Sequence, residues 1–269
     1  SGTLTKRGAG ALTLGGPDES TFSGDVIVAG GTIILDKARA LGTGDSGRKT
    51  VAIQKGGQVD LNHYAAMIKE RKQPKLTYTF KIAGHGDGKG AITNNSASSL
   101  RDFVKDFDYA GIIKLELTDH ASIGGIGNYD IGRTQGLDSG EINGNGYTLT
   151  KKGTNTIHLR APAKNIPLVV EAGTLGVDDA NDALGGATGS VSVLPNASLG
   201  ASGPVQVPTP ITLADKATLR SLHTWYDDDT PIWSGPIRIA GMVNLLADPH
   251  NMVIAGRISG RGGIVKTGP

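Results

Sequence analysis

One phrase constrains this chain more than any other feature of it. The opening residues read "TLTKRGAGALTLGG" (3–16), and residues 147–159 read "YTLTKKGTNTIHL". The closing residues, "GGIVKTGP" (262–269), begin the phrase a third time. Its lysines are Lys6, Lys151 and Lys266, separated by 145 and 115 residues. Such recurrence, with apolar and hydroxyl residues alternating on both sides of the lysine, marks a repeat architecture made of short strands.

The residues downstream of each phrase also match. "GDVIVAGGTIILDKARALGTG" (24–44) parallels "IPLVVEAGTLGVDDANDALGG" (166–186), and "TVAIQKGGQVDLN" (50–62) parallels "SVSVLPNASLGAS" (190–202). "FKIAG" (80–84) parallels "IRIAG" (237–241). Each piece is a short alternating strand, as in Leu12/Leu14, Val26/Val28, Ile33/Leu35, Val51/Ile53 and Val59/Leu61. Glycine, asparagine or aspartate punctuates them every ~8–12 residues, the spacing of an all-β fold. Composition agrees. With 41 glycines and 4% aromatic residues, the chain is poor material for a helical core and good material for frequent tight corners. Sandwich, barrel and solenoid all use short strands. The repetition selects the solenoid, whose units must stack to bury their apolar faces. The expectation is a right-handed parallel β-helix of roughly a dozen coils, at ~20–25 residues per coil.

The first phrase and its sequel closely resemble the autotransporter-associated β-strand repeat, also called the passenger-associated transport repeat. Lys6, Gly8, Gly10, Leu12, Leu14, Ser23, Gly24, Gly31, Leu35, Leu41, Gly42 and Gly44 fit that pattern. The second copy fits at Lys151, Gly153, Ile157, Leu159, Gly173, Thr174, Leu184 and Gly185. The resemblance implies a β-helical, passenger-like module with a secreted or cell-surface life in bacteria. It implies nothing about chemistry, because the motif consists of glycines and core aliphatics. Residues 1–269 are expected to be one β-helix fragment of two divergent super-repeats, 1–145 and 146–269, cut within repeats from a larger parent chain.

Several function classes are excluded early. The absence of cysteine removes disulfides, a cysteine nucleophile and thiolate metal sites. A net charge of +2 gives no concentrated basic footprint for nucleic acid. No apolar run approaches the ~18 residues that cross a bilayer, so membrane insertion of this stretch is not expected.

Aligning the two super-repeats exposes extra length in two places, 85–150 in the first and 198–240 in the second. Both are read as excursions from the solenoid wall, where function concentrates. In the first, "SSLRDFVKDFDYAG" places Leu100, Phe103, Val104 and Phe107 on one helical stripe, behind a capping box of Ser99 and Asp102. A short α-helix lying over the wall as a structural lid is expected. The second holds "SLHTWYDDDTPIW": His223, Trp225, Tyr226, Asp227, Asp228, Asp229 and Trp233. Flat aromatic faces beside carboxylates suit sugar rings, whose C–H groups stack while their hydroxyls donate hydrogen bonds. These seven residues form the candidate carbohydrate site. A tryptophan plugging the core beside a solvated acidic turn is the competing interpretation.

Other motifs fall short. "GHGDGKG" (84–90) has three residues, not four, between its first glycine and Gly-Lys, and lacks the following Ser or Thr of a phosphate loop. "GGIGNYDIG" (124–132) is one imperfect copy of a calcium nonapeptide. The acidic runs "DDAND" (178–182) and "DDD" (227–229) offer clustered oxygens for calcium, but neither fits the twelve-residue calcium loop. No cofactor is otherwise expected. The basic stretch "KERKQPK" (69–75) suits weak contact with anionic polysaccharide. The expected function is therefore a non-catalytic scaffold, adhesive or carbohydrate-binding module, with a glycan as partner. The rival is a polysaccharide-degrading β-helix, a lyase or glycosidase, built from His85, Asp87, Asp119, His120, Tyr129 and Asp130.

Overall fold

The computed structural model describes residues 2–17, 20–43, 48–64, 77–100, 110–132, 140–222, 230–247 and 250–268. Its described residues are all-β, with one 3₁₀ turn at Gly186–Thr188 and no α-helix. None of them forms a helix long and apolar enough to cross a membrane. The chain divides into two compact units, Ser1–Glu141 and Ile142–Pro269, and each is a parallel β-solenoid.

The first unit carries two ladders. One joins Leu4–Lys6, Val26–Val28, Arg48–Ile53, Thr77–Gly84 and the first half of Lys114–Gly125. The other joins Ala11–Leu14, Gly31–Leu35, Gly57–Asp60, Ile92–Asn94 and the end of Lys114–Gly125. Along the first ladder Leu4, Val26, Val51, Phe80 and Leu115 stack as register partners, giving steps of 22, 25, 29 and 35 residues. Each step adds one strand spacing of about 4.8 Å. Period-two alternation turns Val26, Val28, Val51, Ile53, Phe80 and Ile82 into the core, where each is at most 1% exposed. Burying each such side chain contributes about 1.5–3 kcal/mol. The intervening residues face outward, so register partners Lys81 and Glu116 meet as an ion pair at 3.2 Å.

Polar side chains tie the turns of this unit together. Asn94 is fully buried: its amide donates to the carbonyls of Ser98 and Asn128, and its Oδ1 accepts from the backbone of His63 and Ser96. One coil away, Asp60 accepts from the backbone of Asn62 and Asn95 and from the Asn95 amide. Backbone groups that the ladder leaves unpaired at the corners are thereby satisfied.

Among its described residues the second unit has three ladders of three or more strands, besides a parallel pairing of Ile142 and Asn143 with Ala163 and Lys164. The first stacks Leu149–Lys151, Pro167–Val170, Ser190–Val193, Ile211–Leu213, Ile237–Ile239 and Ile258–Gly260. A second stacks Thr156–Leu159, Thr174–Val177, Ser198–Ala201, Thr218–Ser221, Met242–Leu246 and Gly263–Thr267. Gln206–Val207, Ile232–Trp233 and Val253–Ile254 form the third. Leu149, Leu168, Val191, Ile211, Ile237 and Ile258 step by 19, 23, 20, 26 and 21 residues.

The expected excursions resolve largely into these ladders. Ile92–Asn94 and Lys114–Gly125 are rungs of the first unit, although they fall within the stretch read as an insertion. In the second unit, the path from Val191 to Ile237 passes through Ile211 and takes two rungs. The matching path from Val51 to Phe80 takes one. The extra length is thus an added coil, which pairwise alignment of repeats of unequal coil number cannot distinguish from an insertion. The proposed helix, in 98–111 with Ser99 and Leu100 at its start, lies for the most part (101–109) outside the described residues.

Candidate functional site

The repeated lysine has a defined task. Lys6 Nζ donates to the carbonyls of Arg7 at 3.0 Å, Gly8 at 2.8 Å and Gly30 at 3.0 Å. Lys151 Nζ repeats this geometry, donating to Lys152 at 2.7 Å, Gly153 at 3.0 Å and Ala172 at 3.0 Å. Two acceptors are local and the third comes from the next coil, so one ammonium fastens two turns together. Three N–H bonds match the full donor capacity of an ammonium. Lys266 Nζ likewise donates to its i+2 carbonyl, Gly268, at 2.8 Å. Lys151 is 1% exposed, and burial pushes its pKa down to about 7. The three carbonyls work the other way, because they bind the charged form.

A glycine closes each cage. Gly31 and Gly173 adopt φ values of 69° and 65°, in the left-handed region that disfavours side chains. A Cβ on Gly173 would lie 2.5 Å from the carbonyls of Gly153 and Asn155 and 2.9 Å from Lys151 Nζ. At Gly31 the clash is with the carbonyls of Gly8 and Gly10 and with Lys6 Nζ. Gly173→Ala is therefore expected to lower stability by about 2–3 kcal/mol, combining backbone strain with displacement of the ammonium. A chemical denaturation midpoint unchanged from the native chain would rule this out. The sequence signal was available: Gly31 follows Lys6 by 25 residues and Gly173 follows Lys151 by 22.

Most of the candidate sugar site, His223, Trp225, Tyr226, Asp227, Asp228 and Asp229, lies outside the described residues. Trp233 is described, and it is 0% exposed. Its strand pairs with Gln206–Val207 on one side and Val253–Ile254 on the other, placing Val207 and Ile254 as its register partners. With no exposed surface, the indole presents no face for a sugar to stack on. It holds the core position that the competing interpretation gave to one tryptophan. No hydrogen-bond partner among the described residues reaches its Nε1, nor the buried Thr209 Oγ1 or Ser234 Oγ.

The residues of the rival enzymatic hypothesis separate by burial. Tyr129 and Asp130 are fully buried. Tyr129 Oη donates to the Ile92 carbonyl at 3.1 Å, and burial pushes its phenol well above the usual range. Asp130 Oδ1 accepts from Ala110 N at 3.1 Å. His85 is exposed, with Nδ1 3.0 Å from Oγ of the buried Ser122. Partial burial opposes ionisation of Asp87, but the Lys89 N–H, the Gln58 amide and the Lys89 ammonium outweigh it and hold the carboxyl below its ordinary value. Asp119 is lowered by Lys55, 2.6 Å away, and by the His120 N–H. A glycosidase acid needs a raised carboxyl, and both of these move the opposite way.

The acidic run at 178–182 is also engaged. Asp178 lies 2.6 Å from Arg160 Nη2, and Asp179 lies 3.1 Å from its Nε. Among the described residues no group of three or more His, Asp and Glu side chains converges as metal ligands do.

Fold and cage together define a class, a parallel β-solenoid whose coils are fastened by a recurring lysine–glycine corner. Residues 4–35, which include the first cage lysine and its glycine, match the family model of the passenger-associated-transport-repeat. No curated protein and no solved structure matches the chain.

Proposed function

We propose that this chain is a non-catalytic β-helical segment of a larger secreted or surface bacterial protein, serving as a scaffold that contacts carbohydrate. The observation that carries this reading is the lysine cage. The most distinctive residues of the repeat act on backbone carbonyls and turn glycines, fastening coil to coil rather than facing a substrate. The transport-repeat match at residues 4–35 supports a secreted or surface setting. Carbohydrate contact is assigned to Trp225 and Tyr226, with His223 and Asp227–Asp229 as hydrogen-bonding partners. Trp233, enclosed in the core, takes no part.

The test is to incubate the chain with a panel of neutral and acidic polysaccharides. Retention in glycan affinity gels without new reducing ends or unsaturated products is the expected result. Trp225→Ala should weaken that retention about ten-fold, the worth of one stacking aromatic of about 1–2 kcal/mol, and leave the thermal midpoint unchanged. Turnover that is lost in His85→Ala or Asp87→Asn would replace this function with an enzymatic one.

A further inference from the structure

We infer that the second unit carries an anion-binding patch for an acidic polysaccharide, formed by Arg238, Arg257 and Arg261 around Ser259. This goes beyond the scaffold reading and uses residues outside the 223–229 segment. Arg238 projects outward from Ile237–Ile239, and its register partner on the next rung is Ser259. Ile237 N donates to the Arg257 carbonyl at 2.9 Å, and Arg261 N donates to the Ile239 carbonyl at 3.1 Å. The backbones of Arg257 and Arg261 are thereby held against the strand that bears Arg238. All three arginines and Ser259 are at the surface, with Arg238, Ser259 and Arg261 exposed and Arg257 half-buried.

Among the described residues none of the three arginines forms an ion pair, whereas Arg160 of the same unit is held by Asp178 and Asp179. From Thr230 to Pro269 the sequence has Arg238, Arg257, Arg261 and Lys266 against one acidic side chain, Asp248. Guanidinium groups present a planar fork of donors that fits sulfate and carboxylate bidentately.

The surface beside the arginines indicates a sugar polymer. Ser192, Thr212, Arg238 and Ser259 are successive register partners, all outward and exposed, at one strand spacing of about 4.8 Å per step. This gives a row of hydroxyls leading to Arg238 and Ser259, with Arg257 and Arg261 two residues to either side of Ser259. A linear polymer carrying both hydroxyls and anionic groups is complementary to it. The row has no aromatic side chain, which nucleobase stacking needs.

Affinity electrophoresis in gels containing dextran sulfate, with neutral dextran as reference, tests the patch. The native chain should be retarded by dextran sulfate alone, and less so as salt rises. The triple variant Arg238→Gln, Arg257→Gln, Arg261→Gln should bind about ten-fold more weakly or worse, with an unchanged thermal midpoint because the side chains lie at the surface. An equal charge change elsewhere, Lys114→Gln, Lys164→Gln, Lys216→Gln, should keep most of the retardation. Trp225→Ala should keep it too, which separates this site from the carbohydrate contact proposed at Trp225 and Tyr226. Absence of retardation, native-like binding by the arginine variant, or an equal loss in the lysine variant overturns the proposal. Preference for phosphatidylglycerol vesicles over dextran sulfate also overturns it, in favour of a lipid surface.

Discussion

Trp233→Ala should destabilise the chain by about 3–5 kcal/mol, the usual cost of emptying a large aromatic site in a packed core. The side chain is 0% exposed, with Val207 and Ile254 as register partners on the neighbouring coils, so its loss opens a cavity in the core. Urea denaturation followed by circular dichroism measures the shift. Trp233→Phe should cost much less, about 1–2 kcal/mol, because it removes volume but no hydrogen bond from Nε1 to a described residue. A Trp233→Ala midpoint matching the native chain would contradict the enclosed position. The contrast with Trp225→Ala, expected to alter glycan retention and not stability, separates the two indoles in one experiment series.

Lys151→Met should cost about 3 kcal/mol. It leaves the carbonyls of Lys152, Gly153 and Ala172 without their donor at a site where Lys151 is 1% exposed, and hydrogen bonds to a charged group contribute about 1.5–3 kcal/mol each before desolvation is subtracted. Lys6→Met removes the same three bonds, but two of them are exposed to water, so its cost should stay under about 1 kcal/mol. Lys151 also sets a pH dependence. Its folded pKa of about 7 lies below the ordinary 10.5, so between those values the unfolded chain binds the proton that the folded chain has released. Stability therefore rises with pH across that window, by at most about 1.4 kcal/mol per pH unit. Lys49, lowered by burial to about 8, adds the same sign above that pH. Urea midpoints at pH 7 and pH 9.5 should differ in the native chain and differ less in Lys151→Met. Equal slopes in the two proteins would show that the carbonyl cage holds the ammonium against burial.

Much of the architecture was legible from local text. Alternation at Val26/Val28 and Val51/Ile53 predicts which side chains face inward, because the two-residue period of a strand is a property of the backbone. Recurrence of the lysine phrase predicts stacking, because a coil alone cannot bury its apolar face. Coil number was less accessible. The two-rung path through Ile211 and the one-rung path from Val51 to Phe80 differ only in length, and length does not say whether a strand or a loop occupies it. The candidate site was least accessible. Trp233 sits in the same short aromatic and acidic stretch as Trp225, and only the pairing with Val207 places it inside.

The repeated lysine marks the boundary between what sequence and tertiary structure each determine. Sequence alone places Arg7 and Gly8 beside Lys6, and Lys152 and Gly153 beside Lys151, because acceptors one and two residues away are within reach of the side chain's own corner. The third acceptors, Gly30 and Ala172, lie 24 and 21 residues downstream. They reach the ammonium because a full coil brings the chain back within one strand spacing of itself. The same return places Ser259 over Arg238, with the backbones of Arg257 and Arg261 against the same strand, and encloses Trp233 between Val207 and Ile254. Those neighbours depend on the length of each intervening coil, a sum over many residues that no local pattern encodes.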